Sequence, residues 1–182
     1  MRKREKGFSL IELLIVVAII LIIAAIAIPN LLRSRMAANE ASAVGSLRTM
    51  VTSAVTYSST WGNGFPGSLG QMGGAAGVTV AVCDSSLNLD SVLSGGGGVA
   101  TVTSNKSGYD FTFTPLGTQN ATAPAGCTAG YPAFVIAGVP QAVGSSGQRS
   151  FCTDEGGVIR FDPSGATKAT TEAGCAALTP LQ

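Results

Sequence analysis

Glu12 is the residue whose setting most demands a chemical explanation. It stands near the start of a stretch from Phe8 to Leu32, 25 residues that hold one acidic side chain and no basic one. Within that stretch Leu13 to Ile28 is an unbroken apolar run of 16 residues. On insertion scales a carboxylate inside an apolar membrane helix costs about 2.5–3.5 kcal/mol, so such a residue implies a function and a partner. The nearest partner the sequence can create is an amine. Cutting the chain between Gly7 and Phe8 would place a new ammonium group at Phe8.

The other reactive residues narrow the chemistry by what they lack. The 182-residue chain contains no histidine. That removes Ser-His-Asp and Cys-His nucleophiles and every histidine-ligated metal site. No carboxylate pair stands out as an acid–base couple, so no enzyme is expected. The four cysteines, Cys83, Cys127, Cys152 and Cys175, all lie in the second half and form no C-x-x-C pair. An even count in an exported domain with a small core points to two disulfides, with three connectivities open. Pairing neighbours in sequence, Cys83–Cys127 and Cys152–Cys175, is the favoured one. Asp154, Glu155 and Asp162 offer oxygen ligands for Ca²⁺ but lack the spacing of a calcium loop. Gly95 to Gly98 lacks the Gly-Lys-Ser/Thr ending of a phosphate loop and reads as a connection. Asn105-Lys106-Ser107 and Asn120-Ala121-Thr122 match the short glycosylation pattern, which is common by chance. No metal and no cofactor is expected.

Charge and hydropathy supply the elements around Glu12. The formal net charge is +1, too small for a field that would recruit nucleic acid. The basic residues Arg2, Lys3, Arg4 and Lys6 precede the apolar run, and the rest of the chain carries about −2. This order suits an N-terminus held in the cytoplasm by the positive-inside rule. The stretch from residue 8 to 32 is long enough to span a bilayer as a helix. A secretory signal peptide is the competing reading, since Ala25-Ile26-Ala27 offers a cleavage pattern. It would leave a secreted, disulfide-bonded binding domain.

The segment Gly7-Phe8-Ser9-Leu10-Ile11-Glu12-Leu13-Leu14 resembles the cleavage and methylation motif of the type IV pilin-like superfamily, which includes type IV prepilins and the pseudopilins of type II secretion. The likeness continues through Ile15 to Ile20 and Ala24 to Pro29. It implies that a prepilin peptidase cuts after Gly7 and N-methylates Phe8. Glu12 would then bind the Phe8 amine of a neighbouring subunit. The apolar helix would sit in bacterial inner-membrane lipid before assembly and among copies of itself, or of other pilins, afterwards. The product would be a cell-surface pilus or, as the alternative within the superfamily, a periplasmic pseudopilus of a type II secretion system. Pro29 would bend or locally unwind the helix. The Cys152–Cys175 pair would close the kind of C-terminal loop that many such pilins carry.

The resemblance and the patterning together predict an α+β fold: a long N-terminal helix packed on a small antiparallel sheet. The expected organisation is a leader over 1–7, the helix over 8–60 with its membrane half at 8–32, and a disulfide-bonded head over 61–182. After Pro29, apolar residues recur at helical spacing from Leu32 through Met36, Ala43, Leu47, Met50 and Ala54 to Val55, with Asn39, Glu40 and Arg48 on other positions. The glycine-rich stretch from Trp61 to Gly67 should end the helix. Strands are expected at Val78–Val82, Tyr109–Thr114, Phe134–Ala137, Arg149–Thr153 and Val158–Phe161, and a short helix at Leu87–Leu93. Turns are expected at Asp154–Gly157 and Asp162–Gly165.

Overall fold

A computed structural model describes residues 8–74, 77–96, 98 and 100–181. The chain divides into two units, one ending at Arg35 and the other comprising Met36–Gln182. Helix α1, Leu10–Trp61, contributes to both.

In the first unit α1 carries apolar side chains on every side. Ile11, Leu14, Ile19, Ile23 and Ile28 are all exposed. It is the one helix among the described residues that is long and apolar enough to cross a membrane, and none of its apolar window is buried in the chain. Ile and Val weaken helix preference in water. In lipid the backbone must satisfy its own hydrogen bonds, and helix is the solution for a single segment. The helical assignment runs unbroken through Pro29, so the subunit shows no melted turn there.

In the second unit the last six to seven turns of α1 lie on a sheet. Ala43, Leu47, Met50, Ala54 and Tyr57 are fully buried at the i, i+3, i+4 spacing of one helix face. Val55, on the apolar stripe as read from sequence, is exposed instead. The helix stops where Gly62 takes φ +62° and donates its N–H to the Ser58 carbonyl. A residue without Cβ accepts that left-handed end without cost.

The sheet is a six-stranded antiparallel meander in chain order: β1 (Thr103–Lys106), β2 (Tyr109–Leu116), β3 (Ala133–Pro140), β4 (Ser150–Asp154), β5 (Arg160–Asp162) and β6 (Thr179–Pro180). Helix α2 (Leu69–Met72) precedes it, and α3 (Glu172–Ala176) lies between β5 and β6. Strand β2 alternates, with Tyr109, Phe111 and Phe113 inward and Asp110 outward, because one face meets the helix-side core. Strand β3 does not alternate. Phe134 and Ile136 enter that core, while Val135 joins Cys152, Ala169 and Cys175 on the opposite face. A strand covered on both faces reads as a continuous apolar run.

Gly138 shows how closely the layers fit. It pairs with Phe111, and a Cβ at this position would lie 3.0 and 3.2 Å from the Phe111 ring and 3.9 Å from Leu47. Gly138→Ala should therefore destabilise the protein by about 1–2 kcal/mol, the cost of crowding a packed core. Thermal unfolding of the disulfide-intact protein measures it, and an unchanged midpoint would show that Phe111 can yield.

Two expected elements are absent. Val78–Val82 is no strand: Val80 and Val82 are exposed, and Val82 exchanges backbone bonds with Ser85 in a tight turn. Leu87–Leu93 is no helix. Leu87 has φ +57°, which ends any right-handed turn, and the Asp90 carboxylate accepts the N–H groups of Val92 and Leu93 to make a turn instead. The Leu89 and Leu93 side chains still enter the core. The strand expected at Val158–Phe161 forms instead at Arg160–Asp162. Both expected turns form, closed by Gly157 N–H on the Asp154 carbonyl and Gly165 N–H on the Asp162 carbonyl.

Candidate processing and assembly segment

Of the residues singled out for processing and assembly, Glu12 lies in the first turn of α1 and Phe8 just before it. Gly7 and the basic residues before it lie outside the described residues. Phe8 is 79% exposed and precedes the helix by two positions. Glu12 is the third residue of α1, and its Oε2 accepts the backbone N–H of Ser9 at 2.9 Å. The backbone N–H groups of Glu12 and Leu13 in turn donate to the Ser9 carbonyl at 3.1 and 3.3 Å. Sequence reasoning placed Glu12 correctly at the start of the apolar run but missed Ser9. The signal was present as Ser-x-x-Glu, the spacing of a capping box. Pro29 lies 17 residues beyond Glu12 in the same helix, about 25 Å along its axis, so it cannot share the Glu12 site within one subunit.

The head domain gives α1 a fixed attachment through a second glutamate. Glu40, which the sequence places off the apolar stripe, is buried to 9% exposure. It accepts backbone N–H groups from Gln148 and Arg149, and both Nε and Nη2 of Arg149, at 2.7–3.2 Å. The Arg149 guanidinium lies 5.5 and 5.3 Å from the Phe151 and Phe161 ring centres. Asn39 adds a bond from Nδ2 to the Ser146 carbonyl. Burial alone would raise the Glu40 carboxyl above its ordinary range. The donors from Gln148 and Arg149, with the guanidinium charge, outweigh it and hold the group below. The missed signal is positional: Glu40 precedes Ala43, Leu47, Met50 and Ala54 on the same buried stripe.

The four cysteines form Cys83–Cys127 and Cys152–Cys175, with Cα atoms 5.2 and 5.8 Å apart. The first joins the segment after α2 to the β2–β3 connection, beside Asp84, which accepts both the N–H and hydroxyl of Thr128. The second fixes the C-terminal segment on the sheet face away from α1. The acidic residues separate. Asp162 accepts from Ser164 and Thr167, whose hydrogen bonds lower its pKa to about 2. Glu155 meets Glu172, whose pKa is raised by their hydrogen bond and by the neighbouring negative charges. Among the described residues no three Cys, Asp or Glu side chains gather as a metal-binding group. Asn120 is engaged with the Asn63 carbonyl, whereas Asn105 is exposed on β1.

Comparison with known proteins adds to this geometry. Residues 2–28 match the family described as the prokaryotic N-terminal methylation motif. A stretch of 38 residues, 21% of this chain, is 63% identical to the type IV wide pilus major component PilA4 of Thermus thermophilus and covers 29% of that protein. A stretch of 54 residues, 30% of this chain, is 45% identical to the type IV major pilin protein PilA of Myxococcus xanthus and covers 24% of it. The likeness therefore spans less than a third of either relative. No solved structure matches the chain.

Proposed function

We propose that this chain, whose N-terminal segment resembles those of type IV pilins, is the structural subunit of a type IV pilus-like filament. A prepilin peptidase would cut between Gly7 and Phe8, and the new N-terminus would be methylated at Phe8. The helix from residue 8 to 32 would anchor the precursor in the bacterial inner membrane and later lie among copies of itself. The observation that carries this reading is an N-terminal helix whose first half is apolar on all sides, with none of its apolar window buried and one carboxylate in its first turn. A helix that is apolar all round belongs in lipid or in a bundle of its own kind. Lipid gives apolar helices no hydrophobic reason to associate, so packing and polar pairing must drive assembly. Glu12 supplies the polar half, and the Phe8 ammonium of a neighbour supplies the other.

The test is the mass of the N-terminal peptide of the mature protein from its native host. The expected peptide begins at Phe8 and carries one extra methyl group. A peptide beginning after Ala27 would mean that the apolar helix is discarded. The filament reading would then give way to a secreted disulfide-bonded domain.

A further inference from the structure

The carboxylate of Glu12 is only half used within the subunit. Its Oε2 takes the Ser9 N–H at 2.9 Å, while Oε1 has no partner among the described residues. A carboxylate offers about four lone-pair sites on two oxygens, so one bond leaves ample capacity for a second donor. The bond that exists is a helix cap. The N–H groups of the first turn have no partner within a helix, and inside hydrocarbon no water is available to replace one. Ser9 and Glu12 stand at the N-cap and N3 positions, where an N3 glutamate reaches back to the N-cap N–H. The positive end of the helix dipole favours the carboxylate at the same place.

We propose that the Ser9 backbone amide is a positioning group for assembly: it fixes the Glu12 carboxylate through one oxygen and so presents the other to the ammonium group of a second copy. One carboxylate serves its own helix and a neighbour together. This rests on the assembly role proposed above for Glu12. A free glutamate side chain must lose its rotamer freedom when it docks, and a side chain already held by its own helix has lost most of it beforehand. The arrangement also separates two properties of Glu12. Glutamine keeps an oxygen that can accept the Ser9 N–H but carries no charge for the neighbour. Alanine keeps neither.

The experiment uses the full-length, isotope-labelled precursor in detergent micelles and reads the exchange of the Ser9 amide proton. In Glu12→Ala its exchange should quicken by about fivefold, the size of a lost cap. In Glu12→Gln exchange should stay close to the original, because the amide oxygen can still accept the Ser9 N–H. Equal exchange in the unchanged protein and in Glu12→Ala overturns the positioning role, whatever the filaments do. Faster exchange in a Glu12→Ala strain that still assembles normally overturns the assembly reading, and leaves the Ser9–Glu12 bond as a helix cap alone. Faster exchange together with lost filaments supports both.

Discussion

Replacing Glu12 with alanine should leave the precursor in the membrane at its normal level and remove most of the filament. The two outcomes differ because the carboxylate has opposite consequences in the two states. In the bilayer it is a charge near the end of an apolar helix, and its removal makes insertion easier. In a filament it is expected to neutralise the Phe8 ammonium of a neighbour, so its removal leaves that charge buried without a partner. Breaking one side of a buried ion pair costs about 3–5 kcal/mol, equivalent to about two to four orders of magnitude in a contact. Part of this is recovered if the lone ammonium loses its proton or reaches the membrane surface. A fall of about tenfold or more in filament yield is therefore the expected result. The measurement is the ratio of this chain in the fraction sheared from cells to the chain in total membranes. Equal ratios in the two strains would remove the role assigned to Glu12. Because assembly is a repeated contact, the loss should be seen in filament number and length rather than in processing. The peptide from the variant should still begin at Phe8.

The parts of this molecule that were legible in the sequence are those where one local rule decides the outcome. The apolar run from Leu13 to Ile28 can only be a helix once it meets lipid. Tyr109 to Thr114 alternates because one sheet face is covered and the other is not. Asp154-Glu155-Gly156-Gly157 turns because its glycine takes φ +72° and its aspartate accepts from the backbone. The failures arise where tertiary context overrides local preference. Val78 to Val82 has the composition of a strand, but Val80 and Val82 are exposed and no strand among the described residues pairs with it. Thr103 to Lys106 is polar, yet it is a strand because the Ser107-Gly108 turn, with φ +51° and +73°, folds it back on β2. That two-residue turn was readable, since both positions need positive φ and glycine fills one of them. At the N-terminus Glu12 was found because its charge conflicts with its neighbours. Ser9 was missed because a serine beside an apolar run conflicts with nothing.

Glu40 carries the second large effect, and it acts on stability rather than assembly. Its carboxylate is the acceptor for four donors that come from the 148–149 segment, more than a hundred residues away in sequence. It thereby ties α1 to the loop between β3 and β4 and holds Arg149 near the Phe151 and Phe161 rings. Glu40→Ala should destabilise the head by about 3 kcal/mol, since two backbone N–H groups lose their acceptor and a half-exposed guanidinium loses its counter-charge. In a unit of this size that corresponds to a fall of about 6–12 °C in the melting midpoint. The pH dependence gives a sharper reading. The folded carboxyl lies below its ordinary value of 4.5, so the folded state binds the proton less readily than the unfolded one. The stabilisation is fully present above that ordinary value and is lost as the pH falls through the lower folded value. Asp162, held at about 2 by Ser164 and Thr167, acts in the same direction at lower pH. It is present in every variant, so the difference between Glu40→Gln and the unchanged protein isolates Glu40. That difference should be largest near neutral pH and shrink as the solution is acidified below about 4.5, because protonated Glu40 and glutamine are both neutral. A difference that stays constant through the acid range would mean that the charge of Glu40 contributes nothing, and that its neutral hydrogen bonds alone attach the helix to the loop.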